Sequence, residues 1–436
     1  MSQMTISPAS KRPVVYDVSR LVTRALNPNP NGIDRVDFAL ARHFLAQDGG
    51  ANSALFCSLL GPRVAPAALA AQAIDEIESC WNEFIEPDTD PSFSRLIAAF
   101  DAHPDANAPR IARSRFDRAN QSWRDMRRWA LNPGAPLSEI PHGAAYVNAS
   151  QFLLDKPWFT NWLAARTDVK PVFFVHDLLT IDNPEFFWRD EAKKGPRRLR
   201  AIVRLGAGVI VASHALERRL RAFAASQGRA ELPIGVARLP VAPVFAQPAE
   251  PDPRLRDKNY FVVCGTIEPR KNHMTLLNVW RRLAERLGPA TPKLFVVGKR
   301  GWLNENVTDL MSRSPALRAS VIEASGLSTP ALRRLLAGAR ALLMPSFAEG
   351  FGLPVAEALA AKVPVIASNL EVFQEFGGDA PVYLDPLDGL GWLSAVEAFA
   401  APESPARAQA LARIQRMGGS ESGDFFAAVD EFIAGL

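Results

Sequence analysis

Cysteine is scarce, long apolar runs are missing, and neither sign of charge dominates. The three cysteines, Cys57, Cys80 and Cys264, are scattered. They show neither metal-ligand spacing nor a pairing pattern. Cys57 and Cys264 fall inside apolar, strand-like runs, so buried free thiols in a reducing cytoplasm are expected rather than disulfides. No run approaches the roughly 20 apolar residues that cross a bilayer. The opening stretch, MSQMTISPASKRP, has no hydrophobic core and is not expected to be a signal peptide. Fifty Lys and Arg stand against 46 Asp and Glu, a balance that gives no reason to expect a nucleic-acid partner. Short-period repeats and low-complexity tracts are absent as well.

What remains is an ordinary globular composition. The 436 residues are 48% apolar and 22% charged, enough for two or three domains with sizeable cores. Residues 1–12 read as a disordered tail. After them come short apolar runs separated by helical spacing: Val14–Val18, Ala54–Leu60, Ala144–Ala149, Pro171–Val175, Val209–Ala212 and Ala237–Pro240. Runs that are continuous rather than alternating fit parallel strands covered on both faces. Residues 62–135 break this rhythm and read as a helical insertion. A proline-rich linker follows over 243–257. A second series then begins: Tyr260–Cys264, Leu294–Val297, Val321–Ala324, Ala341–Met344, Val363–Ala367 and Val382–Leu384. Both halves are thus α/β with parallel sheets. Residues 404–436 read as helical, broken at Gly418 and Gly419.

The chemistry gathers around residues 341–357, ALLMPSFAEGFGLPVAE. A short buried strand leads into the loop Glu349-Gly350-Phe351-Gly352, and Pro354 then opens a helix. Such a junction aims backbone N–H groups and the positive end of a helix dipole at one spot, an anion site. Glu349 and Glu357 would be repelled by a phosphate, so neutral hydroxyls are their expected partners, as on a nucleotide sugar. The alternative is that Glu357 only complements the dipole and Glu349 is a solvated loop residue. Arg270 and Lys271 follow the first strand of the second half, just before a helix. Guanidinium and ammonium there fit a diphosphate; a solvated basic turn is the other reading.

In the first half, Gly32 precedes a helix expected over Asp34–Phe44, with Arg35 in its first turn. That placement fits a ligand or merely a turn. His176 and Asp177 sit at a strand's carboxyl end, where open α/β sheets bind ligands; a local hydrogen-bonding role is the alternative. Two basic segments interleave with apolar residues: Arg110, Arg113, Arg115, Arg118, Arg124, Arg127 and Arg128 up to Trp129, and Lys193, Lys194, Arg197, Arg198, Arg200 and Arg204. Each fits an anionic membrane surface or a solvated face.

The stretches GTIEPRKN and GLSTPALRRLLAGARALLMPSFAEGFGLPVAEALAAKVPVIAS resemble the retaining GT-B glycosyltransferases of family 4. Glu349 and Glu357 match that family's E-x7-E motif. The likeness is close from about residue 259 to 386. In the first half it rests on Gly32 and the His176-Asp177 strand end. Asn31-Gly32 stands where the family has paired glycines, and residues 62–135 have no counterpart.

The resemblance implies a GT-B fold, two Rossmann-like domains facing a cleft. The first would span 13–242 on the acceptor side and the second 258–415 on the donor side. A C-terminal helix, 416–436, would be free to pack back on the first domain. It also implies donor binding by Gly32, Arg270, Lys271, Glu349, Gly350, Phe351, Gly352 and Glu357. His176, Arg270, Lys271 and Glu349 would be catalytic, with Arg35 and Asp177 on the acceptor side. No metal and no cofactor are implied. The activity implied is metal-independent, retaining transfer of a sugar from a nucleotide-diphosphate donor, with GDP-mannose favoured. The acceptor would be a saccharide or lipid-linked molecule of surface polysaccharide synthesis, in the cytoplasm or at the inner membrane face. A nucleotide-sugar epimerase and a non-catalytic binding subunit share the fold and stand as alternatives.

Overall fold

The computed structural model describes residues 12–24, 30–46, 51–81, 85–101, 129–417 and 423–436. Two sheets organise it. The first has seven strands: β1 (Val14–Asp17), β2 (Ser53–Ser58), β3 (Gly61–Pro66), β4 (Ala145–Asn148), β5 (Lys170–Val175), β6 (Gly208–Val211) and β7 (Ile234–Val236). Their order is β3-β2-β1-β4-β5-β6-β7, and every pairing is parallel except β2 with β3. Tyr16 lies beside Ala54 on one side and Val147 on the other. The second sheet has six strands: β8 (Tyr260–Cys264), β9 (Lys293–Val297), β10 (Val321–Ala324), β11 (Leu342–Met344), β12 (Val365–Ser368) and β13 (Val382–Leu384). It is wholly parallel, in the order β10-β9-β8-β11-β12-β13.

The central strands are mostly apolar because helices cover both faces of each sheet. Val15, Tyr16, Val262, Leu343 and Ile366 are all fully buried. In each sheet the chain runs outward, then returns to the other side of its first strand. The reversal falls between β1 and β4 in one sheet and between β8 and β11 in the other. Such switch points leave a crevice at the strands' carboxyl ends, and the candidate residues cluster there.

Two expectations need correction. Residues 61–66 do not begin a helical insertion. They return antiparallel to β2 as edge strand β3, after a turn at Leu59-Leu60. Pro62 and Pro66 are tolerated there because an edge strand needs fewer ladder donors. The strand expected at Ala237–Pro240 lies earlier, at Ile234–Val236. One ladder bond continues from the Ala237 amide to Val211, and Pro240 has no N–H to extend it. The 243–257 linker is packed: its two short turns bury Phe245 and Leu255 completely. Within 62–135, the helix Pro91–Asp101 packs on the second sheet's edge strand β10. The ring of Phe100 lies 5.9 Å from that of Phe295.

The last helix, Gly423–Ala434, packs on the first sheet. Phe425, Val429 and Ile433 form its buried stripe at four-residue spacing. Phe432 lies over Gly208 and Gly235. The His43 ring stacks on Phe426 at 4.7 Å.

Candidate active site

Beyond β8 the chain forms a short turn, Pro269–Lys271, that ends at Asn272 in the left-handed region, φ 52°. Asn272 donates through Nδ2 to the carbonyls of Pro345 and Pro386, at 3.1 and 2.9 Å. That ties the basic turn to the carboxyl end of β11. The Phe347 amide also donates to the Arg270 carbonyl at 2.8 Å. The two loops at the switch point are therefore one unit.

Four charges meet on that unit. Arg270 Nη1 donates to Glu349 Oε2 at 2.7 Å and to the Ala348 carbonyl at 3.0 Å. Its Nε lies 2.6 Å from Glu268 Oε1. Lys271 Nζ reaches Glu349 Oε1 at 2.5 Å, and Ser346 Oγ donates to the same oxygen at 2.7 Å. Glu349 thus accepts from two cations and the Ser346 hydroxyl. Burial works against its charge, but Arg270 and Lys271 outweigh it and hold the carboxyl at about 2. Burial drives the Lys271 pKa below its ordinary range despite Glu349. Glu268 is pushed up, mainly by burial. Two cations and two carboxylates leave this cluster near neutral overall.

The glycine loop follows. Gly352 has φ +95°, and a Cβ there would lie 2.3 Å from the Phe373 ring. It caps the helix Leu353–Ala360, with Pro354 at its second position. Pro354 has no N–H and the Val355 amide donates to the Gly352 carbonyl at 2.9 Å, so in this first turn the donor role falls to the Leu353 amide. Glu357 is the fifth residue of the helix, beyond the expected first turn, and is buried. Phe351 stacks on Phe376 at 5.0 Å.

The other lobe closes on this loop. A Cβ on Gly350 would lie 2.5 Å from the His176 carbonyl oxygen and 2.9 Å from Asp177 Cβ. The strand end of β5 and the glycine loop are therefore in contact. Half-buried His176 shares a 2.6 Å bond between Nε2 and the Ala149 carbonyl. A carbonyl only accepts, so Nε2 carries the proton and Nδ1 is the ring's acceptor. Burial lowers this imidazole to about 4, so it is neutral at physiological pH. Asp177 Oδ1 accepts from the Leu179 amide at 3.0 Å, and burial raises its pKa.

Gly32 is the first residue of the helix Gly32–Leu45, which Asn31 caps through a reciprocal bond with Asp34. It approaches Leu353 of the glycine-loop helix. Arg35 donates to Glu357 at 3.2 Å and to Thr329 Oγ1 at 3.4 Å. Arg35, expected on the acceptor side, reaches the second glutamate across the lobes. The candidate residues thus gather where the two lobes meet. Glu349 and Glu357 hold separate partners there.

Several neighbours had not been singled out. Asp17, at the carboxyl end of β1, accepts from Tyr146 Oη at 2.6 Å and Asn148 Nδ2 at 2.8 Å. A charge ending an apolar run was the signal available. Glu268, Ser346 and Thr329 lie in the matching stretches but carry no distinctive spacing. Glu375 accepts from the His214 and Ala215 amides at 2.7 and 2.9 Å, a bond between lobes that no local pattern announces.

The basic segment 110–128 lies outside the described residues. Trp129, at its end, is buried against Phe56 rather than exposed. In the helix Arg189–Leu205, Lys193, Lys194, Arg197, Arg200 and Arg204 are exposed, while Leu199, Ile202 and Val203 pack inward. Arg198 is half-buried and paired with Glu191. Cys264 is a free thiol pushed up to about 12 by burial; Cys57 is free and half-buried. Among the described residues no His/Cys/Asp/Glu group could hold a metal, and no helix is long and apolar enough to cross a membrane.

Two parallel α/β lobes with a crevice at their switch points define the GT-B architecture. Solved structures of that fold superpose over nearly the whole chain. WaaG, a glycosyltransferase involved in lipopolysaccharide biosynthesis, gives a TM-score of 0.58 at 16% identity, covering 97% of this chain and 100% of its own. Sucrose-phosphate synthase from Thermosynechococcus elongatus gives 0.57 at 15%, covering 97% of each. Residues 248–380 match the family model described as Glycosyl transferases group 1, so the second lobe carries a domain of that kind. The serotype-specific mannosyltransferase WbdA of Escherichia coli is 35% identical over 133 residues, 28% of this chain and 16% of that protein. The O-antigen chain mannosyltransferase B of Escherichia coli is 36% identical over 151 residues, 34% of this chain and 39% of that protein. This chain therefore aligns with less than half the length of either relative.

Proposed function

We propose that the protein is a metal-independent, retaining glycosyltransferase. It would move a hexose, mannose from GDP-mannose first among candidates, to a saccharide or lipid-linked acceptor of surface polysaccharide synthesis. One observation carries the reading: Arg270, Lys271 and Glu349 converge at the second lobe's switch point, directly opposite the His176 strand end. The similarity of about a third of the chain to mannosyltransferases supports the choice of donor.

In this mechanism the bond from the anomeric carbon to the diphosphate oxygen breaks while a bond to the acceptor oxygen forms on the same face. The acceptor's proton passes to the leaving phosphate. Negative charge grows on the diphosphate, and Arg270, Lys271 and the helix N-terminus at Gly352 offset it. Glu357 takes the ribose hydroxyls, and Glu349 orients the donor sugar while fixing both cations. Neutral His176 lies near the transferring sugar, with Asp177 and Arg35 towards the acceptor. The basic face of helix Arg189–Leu205 favours an anionic inner membrane surface.

A donor panel of GDP- and UDP-sugars, scored for nucleoside diphosphate release with and without saccharide acceptors, tests this. Acceptor-dependent release that collapses in Lys271→Ala and Glu349→Ala is expected. Isomerised sugar from donor alone would favour an epimerase, and near-normal turnover in both variants would remove the assignment.

A further inference from the structure

A cleft of about 520 Å³ opens on another part of the molecule, where three segments meet. Its walls come from the turn Pro87–Thr89, the linker between the lobes, and the helix Thr329–Ala337. Arg333 lines it and is only 6% exposed. Its Nη2 donates to the Gln247 carbonyl at 3.0 Å. Its Nε and Nη1 are buried and have no partner. A buried guanidinium with unanswered N–H groups is unfavourable by the full desolvation of those donors. Arginine does not discharge to escape that penalty.

The other charges around the cleft leave this need unmet. Asp88 is already paired with Arg334 at 2.5 Å. Glu86, Glu250 and Arg256 also line the cleft and are exposed to water. Prolines 87, 248, 251, 253 and 330 form much of the wall. Their fixed φ angles leave little to order when something binds.

We propose that this cleft binds a small oxyanion on Arg333, a phosphate group or a carboxylate. Charge-assisted N–H···O bonds would satisfy Nε and Nη1 together. The volume admits a sugar ring or a comparable body behind the anionic group. The walls belong to the insertion, the linker and the second lobe, so the ligand would bridge all three segments. This site is separate from the Arg270–Lys271 cluster and independent of the transfer reaction proposed above.

The test uses the full chain carrying Lys271→Ala, which weakens phosphate binding at the other cluster. Inorganic phosphate and, separately, acetate are titrated at constant ionic strength, with binding read by calorimetry and by the melting temperature. Saturable binding of at least one of them is expected. Adding Arg333→Met should weaken it by about tenfold or more. Ala249→Trp, which fills the cleft without removing the cation, should do the same and covers the case in which Arg333→Met fails to fold. Phosphate alone binding assigns a phosphoryl ligand, and acetate binding equally well assigns a carboxylate. Absence of saturable binding by either, or affinity unchanged in the two cleft variants, would overturn the proposal. Donor turnover, measured in parallel on the protein with Lys271 intact, reports on the other site alone.

Discussion

Replacing Glu349 by glutamine leaves Arg270 and Lys271 with Glu268 as their remaining carboxylate. Two consequences follow, of opposite sign. The first is on stability. The Glu349 carboxyl is held at about 2 against an ordinary 4.5. At 1.36 kcal/mol per unit, that shift is worth about 3 kcal/mol. The same range, about 3–5 kcal/mol, is typical for removing one partner of a buried ion pair. Lys271 is already pushed down by burial and sheds part of the strain by losing its proton, so the lower end is expected. At roughly 2–4 °C per kcal/mol, the melting temperature of the second lobe falls by about 6–12 °C at pH 7. The folded-state pKa is depressed, so Glu349 stabilises above 4.5 and ceases to as pH falls towards 2. The gap between wild type and Glu349→Gln must close over that interval.

The second consequence is on binding. The cluster moves from near neutral to about one net positive charge. A unit charge about 6 Å from a phosphate, at an effective dielectric constant of about 20, contributes at most about 3 kcal/mol. Deprotonation of Lys271 takes back part of that, leaving roughly a tenfold gain in affinity for GDP or UDP. Turnover, by contrast, falls, because the group proposed to orient the sugar is gone. Calorimetric titration with both nucleotides and a steady-state transfer assay measure the two effects. Nucleotide affinity that is unchanged or weaker in Glu349→Gln would refute the idea that these cations face the diphosphate.

Three further outcomes are expected. Gly350→Ala places a methyl 2.5 Å from the His176 carbonyl and 2.9 Å from Asp177 Cβ; the lobes must separate, so transfer falls at least about tenfold while each lobe keeps its circular dichroism, and normal turnover would contradict the contact. Arg35 and Glu357 join the lobes at 3.2 Å, so a double-mutant cycle with Arg35→Ala and Glu357→Gln in denaturant unfolding should give a coupling of about 1 kcal/mol, and zero would remove the bond. Asp37 is fully buried beside Tyr16, and burial pushes its pKa from 3.8 to about 8. A raised folded-state pKa gives stability that is full below 3.8 and lost as pH rises through 8, so Asp37→Asn should gain on wild type across that range by several kcal/mol, read as a growing difference in melting temperature.

The second lobe was legible because its strands read as short, largely apolar runs, fully buried at the centre of the sheet (Leu342–Met344) and partly buried at its edges (Val321–Ala324, Val382–Leu384). Tyr260–Cys264, Val321–Ala324 and Val382–Leu384 fall where those runs do. The basic pair and the glycine loop were readable for a different reason. They stand immediately after such runs, where the fold puts its crevices. Strand β3 was not legible: Gly61-Pro62-Arg63-Val64-Ala65-Pro66 carries two prolines and one large apolar side chain, and pairing with β2 overrides that weak propensity. Partners across the lobes were equally hidden. Nothing local to Arg35 names Glu357, and nothing in the helix Glu371–Gly377 foretells that Glu375 will accept the amides of His214 and Ala215. The partners of Glu349 were hidden because Arg270 and Lys271 sit almost 80 positions away and were matched to a ligand, not to a carboxylate.

The insertion bears on how the two lobes move. Its helix Pro91–Asp101 is interposed between strands of the first sheet in the chain, yet in space it packs on the second. Asp90 joins the two ends of that arrangement. One carboxylate oxygen accepts from the Ser92 amide at 2.7 Å and the other from the Ser328 amide at 2.8 Å. Ser328 in turn caps the helix that begins with Thr329, the residue that meets Arg35 in the crevice. Lobe opening therefore cannot be a hinge at the linker alone. The insertion must be carried with the second lobe, or Asp90 must release a buried amide, which costs about 1–3 kcal/mol. The last helix adds a tie in the opposite direction, from the second lobe back to Phe426 and Asp430 beside His43. Both ties hold the lobes together around the contact at Gly350. A crevice so restrained is preorganised for a charged ligand, and its cations are kept in place by carboxylates rather than by the ligand they await.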